Sequence, residues 1–213
     1  MARRAPLGVR HPGFWLTCRQ RSAISIQPGL RSQRRLGRPK LKADRSGLKA
    51  NLGANHMTEL PSDRIRRATA ADAAVVAWHR AAMFRDMGQV AGEDLQALLA
   101  SSRDAMRQAL ECGDYLGWLI ERAGRVVAGG GVVLRPLLPR PGYLRGGTDA
   151  YVLNVYTEPS ERRRGLARQV MHAILAWCDA QAIERVTLHA SDEGRPLYLA
   201  LGFAPTNELR RGA

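Results

Sequence analysis

Four arginines and two small residues stand together between positions 162 and 168, in the order Arg-Arg-Arg-Gly-Leu-Ala-Arg. Apolar, β-prone residues precede this group and apolar positions at helical spacing follow it, so we predict a turn between a strand and a helix. The first N–H groups of a helix lack intrahelical partners and lie at its positive dipole end. Gly165 lets the backbone approach an anion closely, and Ala167 is too small to block it. The pattern therefore predicts a pyrophosphate site.

The elements that must position this turn are a strand at Tyr151–Thr157 and a helix at Arg164–Ala182. No helix follows Gly129–Gly131, so these glycines predict close packing of another backbone rather than a second phosphate loop. Prolines and glycines predict an exposed loop at Arg135–Gly147. The whole pattern, β-α-α-β-β-β-α-β-α-β, indicates a mixed α/β domain. The other predicted strands are Arg64–Ala68, Tyr115–Glu121, Val126–Leu134, Arg185–Ala190 and a short one from Phe203. Of the other helices, one begins after Thr69, where Asp72 three residues on predicts a variant of the capping box, and two span Glu93–Cys112 and Arg195–Leu201.

Two segments of the chain resemble the GCN5-related N-acetyltransferase (GNAT) family. In that family a strand and an acidic-Pro turn precede Q/R-x-x-G-x-G/A at the start of a helix; Leu153–Pro159 and Arg162–Ala167 match this pattern. A second family motif, L-Y-x-x-L-G-F, is matched by Leu197–Phe203. The resemblance covers Arg64–Leu209 and implies a small, bacterial-type acetyltransferase. It also implies the α/β GNAT fold, with a mixed central sheet of about six to seven strands flanked by about four helices.

The same resemblance implies acetyl-CoA as co-substrate and assigns roles to residues. The backbone of Val155, Tyr156 and Thr157 would pair with the pantetheine arm, and one of these amides would hold the developing oxyanion. Ser191 stands where many members carry an Asn that bonds to the pantetheine. Tyr198 stands at the general-acid position, where a phenol returns a proton to the departing thiolate; a core tyrosine is the alternative. The implied pyrophosphate contacts are Arg163, Arg164, Gly165, Leu166, Ala167 and Arg168.

The base and the acceptor site are less well defined by the sequence. His189 is a candidate base on the strand before the tyrosine helix, because histidine titrates near neutral pH; a structural histidine is the alternative. Glu208 is a second candidate, and Asn154 could act as a relay. His79 and Asp86 lie on the first helix and its loop, which commonly border the acceptor site in this family. Asp86 could attract a cationic amine there, or the segment could be an ordinary amphipathic helix with a charged face.

The positive charge of the chain is concentrated at one end. Of the net charge of +14, residues 1–56 contribute 13 Lys and Arg against one Asp, which leaves 20 basic and 18 acidic residues in 57–213. We predict that 1–56 is a disordered basic extension, since it has few periodic apolar positions. It is a nucleic-acid- or lipid-binding arm, a targeting peptide, or upstream sequence translated from a misassigned start. Residues 57–213 are the predicted N-acetyltransferase domain.

These observations lead to one leading hypothesis and two alternatives. The leading hypothesis is an enzyme that moves an acetyl group from acetyl-CoA to a primary amine by direct attack in a ternary complex. The alternatives are an acyl-CoA-binding module without turnover, and a basic nucleic-acid binder whose case depends on 1–56. The chain has no run of about 18 apolar residues and no CxxC pair, so we predict no membrane span, no metal and a cytoplasmic location. The sequence does not decide which amine is the acceptor or whether the protein forms a homodimer.

Overall fold

The computed structural model describes residues 63–139, 141, 144, 146–183 and 185–211. Five strands form one sheet: β1 (Arg64–Arg67), β2 (Leu116–Arg122), β3 (Arg125–Leu137), β4 (Gly147–Thr157) and β5 (Arg185–Leu188). They lie side by side in chain order, antiparallel except for the parallel pair β4 and β5. The helices are α1 (Ala73–Asp86), α2 (Gly92–Cys112), α3 (Leu166–Ala180) and α4 (Arg195–Ala200).

Two apolar clusters lie on opposite faces of the sheet. Because side chains alternate along a strand, Leu119 of β2 packs with Val76 of α1 and Tyr115. Its neighbours Trp118 and Ile120 belong to the larger cluster with α3. Helices α1 and α2 therefore cover one face, and α3 covers the other.

Local signals explain how the helices begin and end. The predicted capping box is present: the N–H of Thr69 donates to Asp72 Oδ2 at 2.8 Å, just before α1. Gly113 ends α2 in the left-handed conformation, with φ of +71°. In the described ranges, no helix has both the length and the apolarity needed to cross a bilayer.

The predicted fold class is confirmed, with corrections at individual elements. The described residues form five strands, and residues 203–211 contain no strand where a short one was predicted. The predicted loop at Arg135–Gly147 was wrong at both ends, because β3 continues to Leu137 and β4 already begins at Gly147. Pro136 is tolerated because β2 pairs with β3 only as far as Val132. The predictions for residues 1–62 lie outside the described residues.

Candidate active site

The sheet opens on one side, where β4 and the last strand in the order, β5, separate. The last pair between them joins Val152 to Leu188, whereas β4 continues to Thr157 with only β3 beside it. One edge of residues 153–157 therefore borders an open cleft of about 2010 Å³, and the loop before α3 lines it further along. An open strand edge presents backbone N–H and C=O groups to any extended molecule that lies along it.

A β-bulge lies in this open half of β4. Gly129 pairs with Tyr156 and Gly131 with Leu153, so Asn154 and Val155 together face Gly130. Two residues opposite one is the geometry of a bulge, which bends the strand and redirects its backbone groups. Asn154 adopts φ of +57°, a left-handed conformation that asparagine tolerates better than most residues.

The turn before α3 has the features of an anion site. Arg163 and Gly165 both have positive φ, of +65° and +78°. The first α-helical hydrogen bond runs from the N–H of Gln169 to the carbonyl of Gly165, so the amides before Gln169 have no partner of this kind. Nothing lies within 4 Å of the position that a Cβ on Gly165 would take. The predicted contacts Arg163, Gly165, Leu166, Ala167 and Arg168 line the cleft.

The arginines of this turn have different partners. Arg162 is bonded to Asp86 through its guanidinium and donates to the carbonyl of Thr157 at 3.1 Å. Arg164 pairs with Glu161 at 3.1 Å and does not line the cleft, unlike the other predicted pyrophosphate contacts. Of the four arginines of this turn, only Arg163 and Arg168 therefore add side-chain charge to the cleft without a carboxylate partner in the described part of the chain.

Helix α4 and the residues before it form the opposite wall. Tyr198 lines the cleft, and its ring lies edge-on to that of Phe203, with 6.0 Å between the centroids. Burial raises the pKa of Tyr198, which keeps its hydroxyl protonated. Ser191 also lines the cleft, where its Oγ accepts a hydrogen bond from the N–H of Gly194 at 3.2 Å. The phenol of Tyr198 is thus available as a proton donor. The hydroxyl of Ser191 already accepts one hydrogen bond from the backbone.

His189 forms a pair with a tyrosine on β4. Its Nδ1 lies 2.6 Å from the hydroxyl of Tyr151, and the two rings meet edge-on with centroids 5.6 Å apart. The guanidinium of Arg135 covers the Tyr151 ring at 4.1 Å. His189 is exposed and lines the cleft, as does Glu208. The hydroxyl of Tyr151 therefore holds the histidine ring in one orientation.

The other end of the cleft is bordered by α1. Asn154 is buried, and its Oδ1 accepts a hydrogen bond from Arg80 Nη1 at 2.8 Å. Asp86 is held by Arg85 at 2.8 Å, by Arg162, and by the hydroxyl of Tyr156 at 3.4 Å. Burial opposes ionisation of Asp86, but the hydrogen bonds from these arginines outweigh it and hold its pKa below the usual range. Two arginines already compensate the charge that was predicted to attract an amine.

His79 lies beneath the open half of β4 and does not line the cleft. Its side chain is 2% exposed, and its ring centroid is 5.2 Å from that of Tyr156. Burial lowers the pKa of His79 to about 4, which the carboxylate of Glu158, 3.6 Å from Nε2, only partly offsets. That carboxylate accepts a hydrogen bond from Trp78 Nε1 at 3.0 Å. The structure thus places His79 in the interior, apart from the other predicted acceptor residues.

Comparisons with known proteins agree with this geometry. The family model of the acetyltransferase (GNAT) domain matches residues 86–213. A GCN5-related N-acetyltransferase from Ralstonia eutropha is 32% identical, with 71% of this chain and 99% of that one aligned and a TM-score of 0.65. No curated protein matches the chain. The chain belongs to the GCN5-related N-acetyltransferase family.

More distant structures share the fold. A predicted acetyltransferase from Clostridium acetobutylicum, solved with acetyl-CoA, is 22% identical over 71% of this chain and 96% of that one, with a TM-score of 0.64. Glucosamine-6-phosphate N-acetyltransferase from Arabidopsis thaliana is 17% identical over 71% of this chain and 98% of that one, with a TM-score of 0.53. These two structures and this chain therefore share the same arrangement of sheet and helices at low sequence identity.

The sequence did not single out Arg80 or the pair of Tyr151 with His189. Arg80 lies four residues before Phe84, and its Cζ is 4.9 Å from that ring. An arginine and an aromatic residue at this spacing share one helix face, a signal that could have marked Arg80. The contact between Tyr151 and His189 joins β4 to the segment that follows β5, 38 residues along the chain, so no local pattern could have shown it.

Proposed function

We propose that this protein is an N-acetyltransferase that moves the acetyl group of acetyl-CoA to a primary amine within a ternary complex. The separation of β4 and β5 after Val152 and Leu188 is the observation that carries the proposal. It leaves a strand edge beside a cleft that leads to an anion site at the start of α3. Acetyl-CoA has the matching parts, an extended amide-containing arm and a pyrophosphate. The presence of acetyl-CoA in the Clostridium structure supports the assignment.

In this proposal the pantetheine arm lies along the open half of β4. Its amides pair with the backbone of Val155–Thr157, and the hydroxyl of Ser191 contributes a further bond. The pyrophosphate lies against the amides of residues 163–168, where the helix dipole and Arg163 and Arg168 favour negative charge. The acetyl thioester then lies near the bulge, between α1 and α4.

The reaction proceeds by direct attack. The amine nitrogen forms a bond to the thioester carbon, and the oxygen of the resulting tetrahedral adduct accepts a hydrogen bond from a backbone N–H of Val155–Thr157. The adduct collapses with cleavage of the C–S bond, and Tyr198 gives its hydroxyl proton to the departing thiolate. The amine proton passes to His189, directly or through water, and Asn154 acts as a hydrogen-bonding relay. The described lining of the cleft has no cysteine, which favours direct attack over an acyl-enzyme.

Tyr198→Phe tests the acid assignment. We expect kcat for thiol release to fall about 100-fold, because the thiolate must leave without a positioned proton. Acetyl-CoA affinity, measured by calorimetry, should stay within about twofold, since the ring is retained. Unchanged thiol release across the pH range would remove Tyr198 from the mechanism.

A panel of amines with acetyl-CoA tests the proposal itself. Free thiol should appear with at least one neutral, cationic or anionic amine, and mass spectrometry should show the acetylated product. Tight acetyl-CoA binding without thiol release for every amine would instead support a binding module without turnover.

A further inference from the structure

Arg80 stands out among the charged residues of the cleft because of what surrounds it. Its guanidinium is half-buried and donates to the neutral amide of Asn154 through Nη1. None of the described ion pairs includes Arg80. Arg163 and Arg168 also line the cleft without a carboxylate partner among the described residues, but both are exposed to solvent. The charged form of a half-buried guanidinium is poorly solvated, and burial lowers the pKa of this one. An anion is the group that this position lacks.

The position of Arg80 separates it from the pyrophosphate site. Arg80 contacts β4 at Asn154, whereas the anion-binding turn follows the far end of the strand, after Thr157. Three residues of strand span about 10 Å. Arg80 is thus placed to meet the acceptor rather than the phosphates of the co-substrate.

The groups around Arg80 fix its orientation without neutralising it. Asn154 is held in the bulge, and its amide also interacts with the fully buried hydroxyl of Tyr115. The ring of Phe84 lies 4.9 Å from Arg80 Cζ. Because only Nη1 is used by Asn154, the other guanidinium N–H groups can meet the two oxygens of a carboxylate.

The adjoining wall of the cleft is apolar. Met83, Phe84 and Met87 follow Arg80 along α1 and its end, and all line the cleft. Flexible methionines and an aromatic ring adapt to an apolar group of varied shape. Asp86, the acid between them, is already paired with Arg85 and Arg162.

Building on the proposed acetyl transfer, we propose that the acceptor is an amine that also carries a carboxylate, bound by Arg80, and an apolar side group against Met83 and Phe84. Amino acids with apolar side chains have this chemistry. The carboxylate supplies the counter-charge that Arg80 lacks, and the fixed guanidinium orients the amine toward the thioester.

The test compares three acceptors that share one apolar group: phenylalanine, phenylalaninamide and 2-phenylethylamine. We expect wild-type kcat/KM to be about 10- to 100-fold higher for phenylalanine than for either analogue without a carboxylate, the range of a charge-assisted hydrogen bond. Arg80→Met should reduce kcat/KM for phenylalanine to the level of the two analogues without a carboxylate and change theirs little. Arg80→Lys keeps the positive charge but cannot donate the two parallel hydrogen bonds of a guanidinium. It should therefore retain part of the preference for phenylalanine.

Arg103→Met on the exposed surface of α2 is the matched control, because it removes one arginine without touching the cleft. It should retain the wild-type preference. Equal wild-type rates for the three acceptors, or an equal loss for all three in Arg80→Met, would overturn the carboxylate proposal while leaving acetyl transfer intact.

Absence of turnover with every amine would count against acetyl transfer instead. In that case calorimetry with phenylalanine, in the presence of coenzyme A, decides the anion site by itself. Binding that is lost in Arg80→Met but not in Arg103→Met supports it, and no binding to wild type overturns it.

Discussion

The two halves of strand β4 differ in how far their polar groups are satisfied. In the first half, Gly147–Val152, the residues from Asp149 onward lie between β3 and β5. Its buried Asp149 meets Arg135 at 3.2 Å and Arg185 at 3.3 Å, and accepts a hydrogen bond from Thr187. The second half, Leu153–Thr157, has β3 alone beside it. Next to it, His79 Nε2 and the hydroxyl of Thr157 are buried without a hydrogen-bond partner among the described residues.

This difference separates stability from function along one strand. A buried polar group without a partner costs free energy, so the second half is less stable than a fully paired strand would be. Proteins tolerate such unfavourable contributions mainly at functional sites, where free backbone groups are needed to bind a ligand. The fully paired half fixes the position of the open one.

The largest expected effect concerns His79 beneath the open half. Its pKa is about 4 in the folded protein and about 6.5 when unfolded, so the unfolded chain binds more protons between these values. The free energy of unfolding should therefore fall as pH drops from 6.5 to 4, by about 3 kcal/mol from this residue. Urea denaturation at several pH values measures the loss.

His79→Gln isolates this contribution, because glutamine does not titrate. The variant should lose the decline in stability between pH 6.5 and 4 that wild type shows, whatever its stability at pH 7. His172→Gln, on the exposed side of α3, should keep the wild-type decline. Parallel pH profiles for wild type and His79→Gln would show that the buried imidazole is not the cause.

The sequence predicted the site better where its contacts are local. The turn at Arg162–Arg168 was predicted from its residue types and from the physics of helix N-termini, and it lies between β4 and α3 as expected. The capping box at Thr69 was equally readable. Contacts between segments that are distant in the sequence could not be predicted in this way. Neither the burial of His79 nor the pairing of Arg80 with Asn154, 74 residues away, has a local signal.

Strand ends were also misjudged because pairing overrides local preference. Gly147 was predicted to end a loop and Thr148–Ala150 were assigned to no element, but pairing with β3 makes all four residues strand. The prediction that Gly129–Gly131 admit another backbone is confirmed, since a Cβ on Gly131 would lie 2.5 Å from the carbonyl oxygen of Leu116.

Gly131→Ala tests the junction between the two halves, where Gly131 pairs with Leu153. The added methyl group would overlap the Leu116 carbonyl and the buried Tyr115 ring, so β2 and β3 must shift. We expect a loss of about 2 kcal/mol in the free energy of unfolding. Gly147→Ala, with no atom within 4 Å of its Cβ position, should change stability little. Equal stabilities of the two variants would mean that the strands adjust freely.

The smallest expected effect concerns Gly165, in the turn that follows the open half of β4. It separates a loss of ligand binding from a loss of stability. Gly165→Ala places a methyl group in the space before α3 that we assign to the pyrophosphate, with φ of +78°. Gly124→Ala in the β2–β3 hairpin is its matched control, with φ of +73° and equally open space. Both should lose about 1 kcal/mol of stability to the left-handed backbone.

Only Gly165→Ala should also weaken coenzyme A binding, by about tenfold or about 1.4 kcal/mol, because its methyl group keeps a phosphate from the helix amides. Calorimetry with coenzyme A and with dephosphorylated pantetheine separates the contributions. The loss should appear with coenzyme A and vanish with pantetheine, which has no phosphate to displace. A similar loss in Gly124→Ala, or with pantetheine, would place the effect in the fold and remove the pyrophosphate from this turn.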